Sequence, residues 1–515
     1  MDAPSPEPVP LPADVPTLQG MVRELLATVA ELRRTVEAQQ VRIDDLTRRV
    51  YGRKSERVTP GPDASPASAG DNPVSLDPPA TPRPRRRGHG RRPLPEHLPR
   101  ERVEHDLAEP EKPCPCCGRM RTRIGAETSE QLDYRPASLF VVEHVRHTYA
   151  CGVCSRAGDP ADGRRPTIAT ASRPPAPIGK GLPGPGLLAH VVTSKFADHL
   201  PLARLEGILA RNAVALDRST LGGWVRSCAA LLGPLVARMA TLVRGGRVIQ
   251  TDDTPVPLLR GRGRTRTAHL WAYLGDARNP YVAYDFTPTH AGAGPKAWLG
   301  DYAGYVQADA LRQYDPLFDR PPPRPAEVGC WAHARRKFHD ARVSDPARSH
   351  EALARIRSLY EVEAEAKSLT DADRLGLRQA RSRPALEALF AWAEEQRAKV
   401  LPKSPMGVAV GYALGNREAL SRYAEAGFLA VDNDACERVL RAVAVGRGNW
   451  TFLGSESGGR TAAVLYSVVG SCRRLGLDPW AYLRDVLARL PGLPADRLDE
   501  LLPDHWARQH ATPGT

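Results

Sequence analysis

The 515 residues carry 72 Lys and Arg against 59 Asp and Glu, a formal charge of +13, with 42% hydrophobic and 25% charged residues. That length exceeds one ordinary domain, and that composition excludes a wholly disordered chain or a membrane bundle. The opening MDAPSPEPVP is acidic and proline-rich, unlike a secretory signal, and no apolar run approaches the roughly 18 residues of a membrane span, so a cytoplasmic protein is expected.

Lys occurs nine times, so the cations are overwhelmingly Arg, which suits bidentate phosphate contacts. A GC-rich genome gives the same bias, and charge alone is a weak sign of nucleic acid. The 49 prolines cluster at 4–16, 60–98, 160–188 and 321–325, marking linkers and boundaries.

Between Leu18 and Val50 the apolar residues keep a heptad. Val22, Val29, Val36, Ile43 and Val50 form one seam; Leu18, Leu25, Leu32 and Leu46 form the other, broken only by Gln39. β-Branched residues on one seam and Leu on the other favour a parallel two-stranded coiled coil, so self-association is expected. Residues 58–100 read as a disordered linker ending in RPRRRGHGRR, where Arg85, Arg86, Arg87, Arg91 and Arg92 can track phosphates or enter a minor groove.

Beyond the linker stand Cys114-Pro-Cys116-Cys117-Gly and Cys151-Gly-Val-Cys154. Two such knuckles can place four thiolates around one zinc ion, and the alternating stretch between them suits a small sheet, so a zinc ribbon is expected. Cys117, Cys151 and Cys154 complete the set with Cys114; Cys116 is the ambiguous thiol. Residues 187–232 read as helical, with Asp217 or Ser219 capping a last helix that bears Arg, either a helix-turn-helix or a plain spacer.

Arg247 to Asp253 reads as a strand ending in two carboxylates. Strand-like runs come next at 267–274 and 281–286, and a further one, 304–309, again ends in an acid. After a long helical region, Asp432 to Arg441 opens a helix carrying Glu437. Acids at strand tips and on a helix are the parts of a two-metal phosphoryl-transfer site, and magnesium prefers carboxylate oxygens.

Gln250-Thr-Asp252-Asp253-Thr-Pro, Val306-Gln-Ala-Asp309, Gly329-Cys-Trp-Ala-His333-Ala-Arg-Arg336-Lys-Phe, Asp432-Asn-Asp-Ala-Cys-Glu437-Arg438-Val-Leu-Arg441 and Gly446-Arg447-Gly-Asn-Trp together closely resemble the large transposase of the bacterial insertion sequence 66 family. Val50-Tyr-Gly-Arg-Lys-Ser-Glu-Arg57 and the stretch 476–487 add to the resemblance, which covers roughly residues 16–503. It implies a DDE transposase with a ribonuclease-H-like α/β core, Asp252, Asp309 and Glu437 holding magnesium or manganese, and a structural zinc in the ribbon. The implied reaction cuts one DNA strand with water and joins the freed 3′-hydroxyl to target DNA without a covalent enzyme intermediate; small accessory proteins are implied too. His333, Arg336, Arg438, Arg441 and Arg447 are candidate DNA contacts.

The Gly-Tyr that commonly comes after the second acid in that family is Ala310-Leu311 here, and Cys116 is an extra thiol. A noncatalytic DNA-binding derivative is therefore the competing expectation. Asp434 and Glu437 also fit a helix capping box. The expected plan is multidomain α+β: a disordered tail over 1–15, zipper over 16–52, linker over 53–100, zinc ribbon over 101–170, helical DNA-binding region over 171–240, core over 241–329 and 431–490 split by a helical insertion over 330–430, and a tail over 491–515.

Overall fold

The computed structural model describes residues 98–510 except 136–137, 152–167, 180 and 262, together with positions 29, 94 and 96. All but Val29 belong to one compact unit, Arg91–Thr515. The zipper, Val29 apart, and the basic run Arg85, Arg86, Arg87, Arg91 and Arg92 lie outside the described residues.

The first sheet has strands β1 (Arg100–His105), β2 (Thr122–Arg135), β3 (Ser138–Ala150) and β4 (Ile168–Thr170). β3 pairs antiparallel with β2 and β4 and parallel with β1. Leu132, Leu139 and Val141 turn inward and join the main hydrophobic core, so this sheet is continuous with the helices and strands C-terminal to it rather than a free-standing module. The backbone also crosses over: Leu132 N donates to Leu182 O, and Gly184 N to Leu132 O.

Helix α1 (Pro185–Phe196) starts on β2, where the buried Asp133 carboxylate accepts the Leu187 N–H at 2.8 Å. An acid at a helix N-terminus satisfies orphan donors and meets the helix dipole favourably. α2 (Leu202–Ala210) precedes α3 (Arg218–Arg244), whose cap is Asp217, accepting Thr220 N at 2.8 Å. α3 is no short recognition helix. Its 27 residues bury Leu221, Trp224, Val225, Leu232, Met239 and Val243 in the core, and it runs past the boundary expected at 240. By length and composition alone it is apolar enough to cross a membrane, contrary to the expectation from sequence, and its apolar face accounts for that by packing inside the fold.

The second sheet is ordered β7-β6-β5-β8-β9. β5 (Val248–Leu259), β6 (Thr265–Leu274) and β7 (Val282–Thr287) form an antiparallel meander, while β8 (Tyr305–Gln307) and β9 (Ala326–Val328) continue parallel from β5. α4 (Ala293–Leu299) crosses between β7 and β8, and the ring of Trp298 in it stacks on Tyr273 at 3.7 Å. Contrary to expectation, β5 does not end at its two acids. It runs on through Pro255 and Pro257, because β8 pairs only with residues 248–250 and the missing N–H groups face the side it has vacated.

Between the sheet strands and the last part of the core stand α5 (Trp331–Asp340), α6 (Pro346–Glu365), α7 (Asp371–Leu377), α8 (Arg383–Arg397) and α9 (Pro405–Gly415), around a second core of Trp331, Phe338, Ile356, Leu389, Phe390 and Met406. Arg378, fully buried, is their hub. It donates to both Glu363 oxygens at 2.8 and 2.6 Å and to the carbonyls of Tyr423, Ala426 and Leu429. Those carbonyls lie on the segment leading to Asp432. Removing one partner of such a buried pair costs about 3–5 kcal/mol. Arg378→Met is therefore expected to lower the thermal midpoint by roughly three to six degrees in a unit of this size, read by circular dichroism; an unchanged midpoint contradicts this.

α10 (Asp434–Trp450) and α11 (Glu456–Arg474) close the sheet. Ser467 and Ser471 Oγ accept the outward N–H groups of Tyr284 and Val282, so the free edge of β7 is satisfied by a helix. Gly459 lets α11 approach, since a Cβ there would meet the Phe286 ring at 2.4 Å. α12 (Pro479–Arg489) packs on α1. The stretch expected as a tail is folded: a 3-10 turn at Ala495–Leu501 and α13 (Pro503–His510) bury Leu501, Leu502 and Trp506, and Asp499 holds Arg238 of α3 at 2.7 Å. These apolar residues are what anchor it.

Candidate active site and metal sites

Gln250 of β5 lies opposite Gln307 of β8 in parallel register, and each stands two residues before an acid. Asp252, within β5, and Asp309, two residues past the end of β8, therefore lie side by side. The two glutamines also tie down the third element: Gln250 Nε2 donates to Gln307 Oε1 (3.0 Å) and to Asp432 O (3.2 Å), and Gln307 Nε2 donates to Ala430 O (2.6 Å). Asn433, fully buried, adds a bond to Thr251 O at 3.3 Å. One turn later α10 presents Glu437. The repeated Gln-x-Asp, within β5 and across the end of β8, is a readable signal for these ties, absent from the residues singled out by sequence.

Burial first, then the charge of Asp309, pushes the Asp252 carboxyl up to about 8. Burial, with the charges of Asp253 and Glu437, pushes Asp309 up to about 6. Asp309 Oδ1 and Glu437 Oε1 are buried without hydrogen-bond partners among the described residues. Crowded, unpaired carboxylate oxygens fit hard divalent cations such as magnesium or manganese. Glu437 makes no capping box: the α10 cap is Asn433, with no side-chain bond.

Both raised carboxyls favour their protonated forms in the cation-free fold. Their advantage is complete below about pH 4, where the unfolded carboxyls are protonated too, and is lost as pH rises through about 6 and then about 8. Asp252→Asn mimics the protonated group. It is expected to raise the melting temperature of the cation-free protein at about pH 9 and to leave it near the wild-type value at about pH 4; equal effects at both pH values contradict this.

The Asp253 side chain points to the opposite face of β5, as alternation requires. Its carboxylate meets His269 Nδ1 at 2.5 Å and His290 Nε2 at 3.1 Å. The two rings are stacked, 4.0 Å apart and 6° from parallel, so no ion can lie in both ring planes, and the cluster is a hydrogen-bonded network. It continues to Gln313 at 3.3 Å from His290 Nδ1. The segment after Asp309, which lacks the expected Gly-Tyr, is thereby anchored to β5.

The proposed cations around the acids separate into distinct roles. His333 Nδ1 stands 3.6 Å from Glu437 Oε1, and burial, with the charges of Arg336 and Lys337, pushes its pKa down to about 4, which favours the neutral ring. Arg336 lies 3.7 Å from Glu437 Oε2 and is exposed, as are Arg438 and Arg441. Arg447 donates through Nη1 to Thr254 Oγ1 at 2.9 Å and to Pro255 O, fastening α10 to β5.

In the first sheet Cys114, Cys117 and Cys151 come together, with Cys117 and Cys151 Sγ 3.6 Å apart. The knuckle closes through Cys114 N to Arg119 O and Gly118 N to Cys114 O, with Gly118 at φ 69°, a conformation glycine adopts without strain. Cys116 is exposed and outside the cluster, and Cys154 lies outside the described residues. Three convergent thiols, two of them buried, fit a soft tetrahedral ion such as zinc.

Comparison with known proteins agrees with this layout. Residues 111–155 match the zinc-finger binding domain of transposase IS66, which supports a structural zinc, and residues 38–103 match the family described as transposase C of IS166 homeodomain. Residues 467–503 match the IS66 C-terminal element. Among relatives, uncharacterized protein y4jD of Sinorhizobium fredii (strain NBRC 101917 / NGR234) is 33% identical, covering 96% of this chain and 97% of its own. Uncharacterized protein y4qI of the same organism is 31% identical, over 96% and 97%. With residues 180–461 matching the IS66 transposase family model, which embraces both strand acids, the insertion and Glu437, this chain belongs to the IS66 transposase family.

Proposed function

We propose that this protein cuts DNA at the ends of an insertion sequence and joins the freed ends to target DNA, with Asp252, Asp309 and Glu437 as the catalytic acids. The observation that carries the reading is the register of Gln250 with Gln307, which sets two acids side by side beneath a helix-borne third, with Asp309 and Glu437 oxygens lacking partners. The strand order, an antiparallel meander continued by two parallel strands, supports a ribonuclease-H-like core.

The three carboxylates would hold magnesium or manganese. When bound, such ions supply Lewis acidity that favours deprotonation of an attacking hydroxyl and neutralises charge on the scissile phosphate. His333 faces Glu437 at 3.6 Å across the acid centre. Arg336, Lys337, Arg438 and Arg441 draw the DNA backbone to the acids. The zipper over 16–52 would pair two copies, the basic run 85–92 would add phosphate contacts, and accessory proteins of the same element would assist, all within the bacterial cytoplasm. The network of Asp253, His290 and Gln313 favours the enzyme over a noncatalytic derivative, because it fixes the segment after Asp309 despite its altered residues.

The test is strand cleavage and joining on duplexes carrying the element's ends, in magnesium. Wild type is expected to nick and join; Glu437→Gln, which keeps shape and removes charge, is expected to be slower by at least about a hundredfold. Equal activity in both, or equal inertness with DNA bound, overturns the reading.

A further inference from the structure

On the side of α10 next to Glu437 lies a cavity of about 600 Å³ between α10, α11 and the turn after α1. Four guanidinium groups line it: Arg438 and Arg441 from α10, Arg473 and Arg474 from α11. Among the described residues none of the four has a carboxylate within ion-pair distance; Arg473 and Arg474 donate only to the carbonyls of Ala197 and Gly275. Four cations around one cavity repel one another, a cost only partly offset by Asp432 and Asp434 near Arg438 and by Asp276 near Arg474, and an anion within it relieves the rest. The floor is apolar, formed by Leu274, Ala435, Val439, Ala442, Val445 and Val469, and Val445 is half exposed. At the rim His199 sits in a left-handed conformation, φ 62°, its Nδ1 buried and without a hydrogen-bond partner among the described residues.

An apolar floor under a cationic rim, at a volume within the usual range of small-ligand sites, about 300–1,000 Å³, suits a flat ring bearing a phosphate. α10 carries both this cavity and Glu437, and Arg438 also acts on Asp432 and Asp434. We infer that the cavity receives one unstacked nucleotide of the DNA strand that passes the acid centre, its base on the valine and alanine floor and its phosphate on Arg438, Arg441 and Arg473. A stacked duplex cannot offer a base to such a cavity, so the nucleotide must leave the helix, and these contacts offset the lost stacking. The inference rests on the proposed DNA reaction.

The experiment uses the full chain, duplexes of the element's end with 2-aminopurine at successive positions around the cleaved phosphate, and binding and nicking measured separately. Wild type is expected to raise 2-aminopurine fluorescence several-fold at one position. Ala442→Trp, which fills the floor without changing charge, and Arg441→Gln, at an exposed position, are each expected to abolish the rise and slow nicking by up to about a hundredfold, with duplex affinity within severalfold of wild type. A rise that persists in both variants, or no rise at any position while wild type binds and nicks, overturns the cavity's role alone. Wild type that neither binds nor nicks overturns the DNA reaction and the cavity together. If Ala442→Trp leaves the DNA signals intact and changes the sedimentation of the chain, the cavity takes protein, and the inference fails.

Discussion

Asp309→Asn is expected to reduce strand cleavage and joining by about a thousandfold or more while leaving the fold and DNA binding in place. The carboxylate lies at the end of β8, with Oδ1 buried and unpartnered among the described residues and the charges of Asp253 and Glu437 close by. Asparagine keeps the shape but cannot offer an anionic oxygen to a cation. Loss of several kcal/mol of transition-state charge stabilisation, at about 1.4 kcal/mol per factor of ten, gives the stated scale. The variant should not be less stable without cation, since it removes a repulsive charge. A melting curve that matches or exceeds wild type, beside lost cleavage, is the expected pair of results; retained cleavage contradicts the assignment of Asp309.

Cys151→Ser is expected to release zinc and to unfold the first sheet. Structural zinc contributes roughly 10–16 kcal/mol of apparent binding energy in small zinc domains. Here the consequence spreads further. β2 and β3 deliver Leu132, Leu139 and Val141 to the main core, and Asp133 caps α1, so loss of the ion loosens the foundation on which α1, α3 and α12 stand. Metal analysis should find about one zinc per chain in wild type and almost none in the variant. Cys116→Ser, at the exposed thiol outside the cluster, should keep its zinc. A folded wild-type protein without zinc, or equal loss from both substitutions, contradicts the account.

Much of the site was legible because chemistry fixed it locally. Acids at the ends of apolar runs, and Cys-x-x-Cys pairs, carry their meaning in spacing, and alternation separates Asp252 from Asp253. What spacing could not show is what distant packing decides. Pro255 and Pro257 look like a stop, yet β5 continues, because β8 is short and its absence leaves room for residues without an N–H. The Asp217-capped helix has the look of a recognition element, yet its apolar side is the spine of the core. His333 and Arg447 suit phosphate contacts by charge, but spacing does not show that one faces Glu437 and that the other donates through one guanidinium nitrogen to β5. The C-terminal stretch is broken by Pro494 and Pro503 and reads as a tail, but Leu501, Leu502 and Trp506 anchor it in the main core.

The central claim is that three carboxylates from β5, the end of β8 and α10 hold the cations that drive DNA strand transfer. Crystals of the protein grown with manganese, measured at the manganese absorption edge, test it most directly. The account predicts anomalous density among Asp252, Asp309 and Glu437, and its loss in Asp309→Asn. Manganese bound elsewhere, with those three carboxylates left without an ion at saturating concentration, would contradict it.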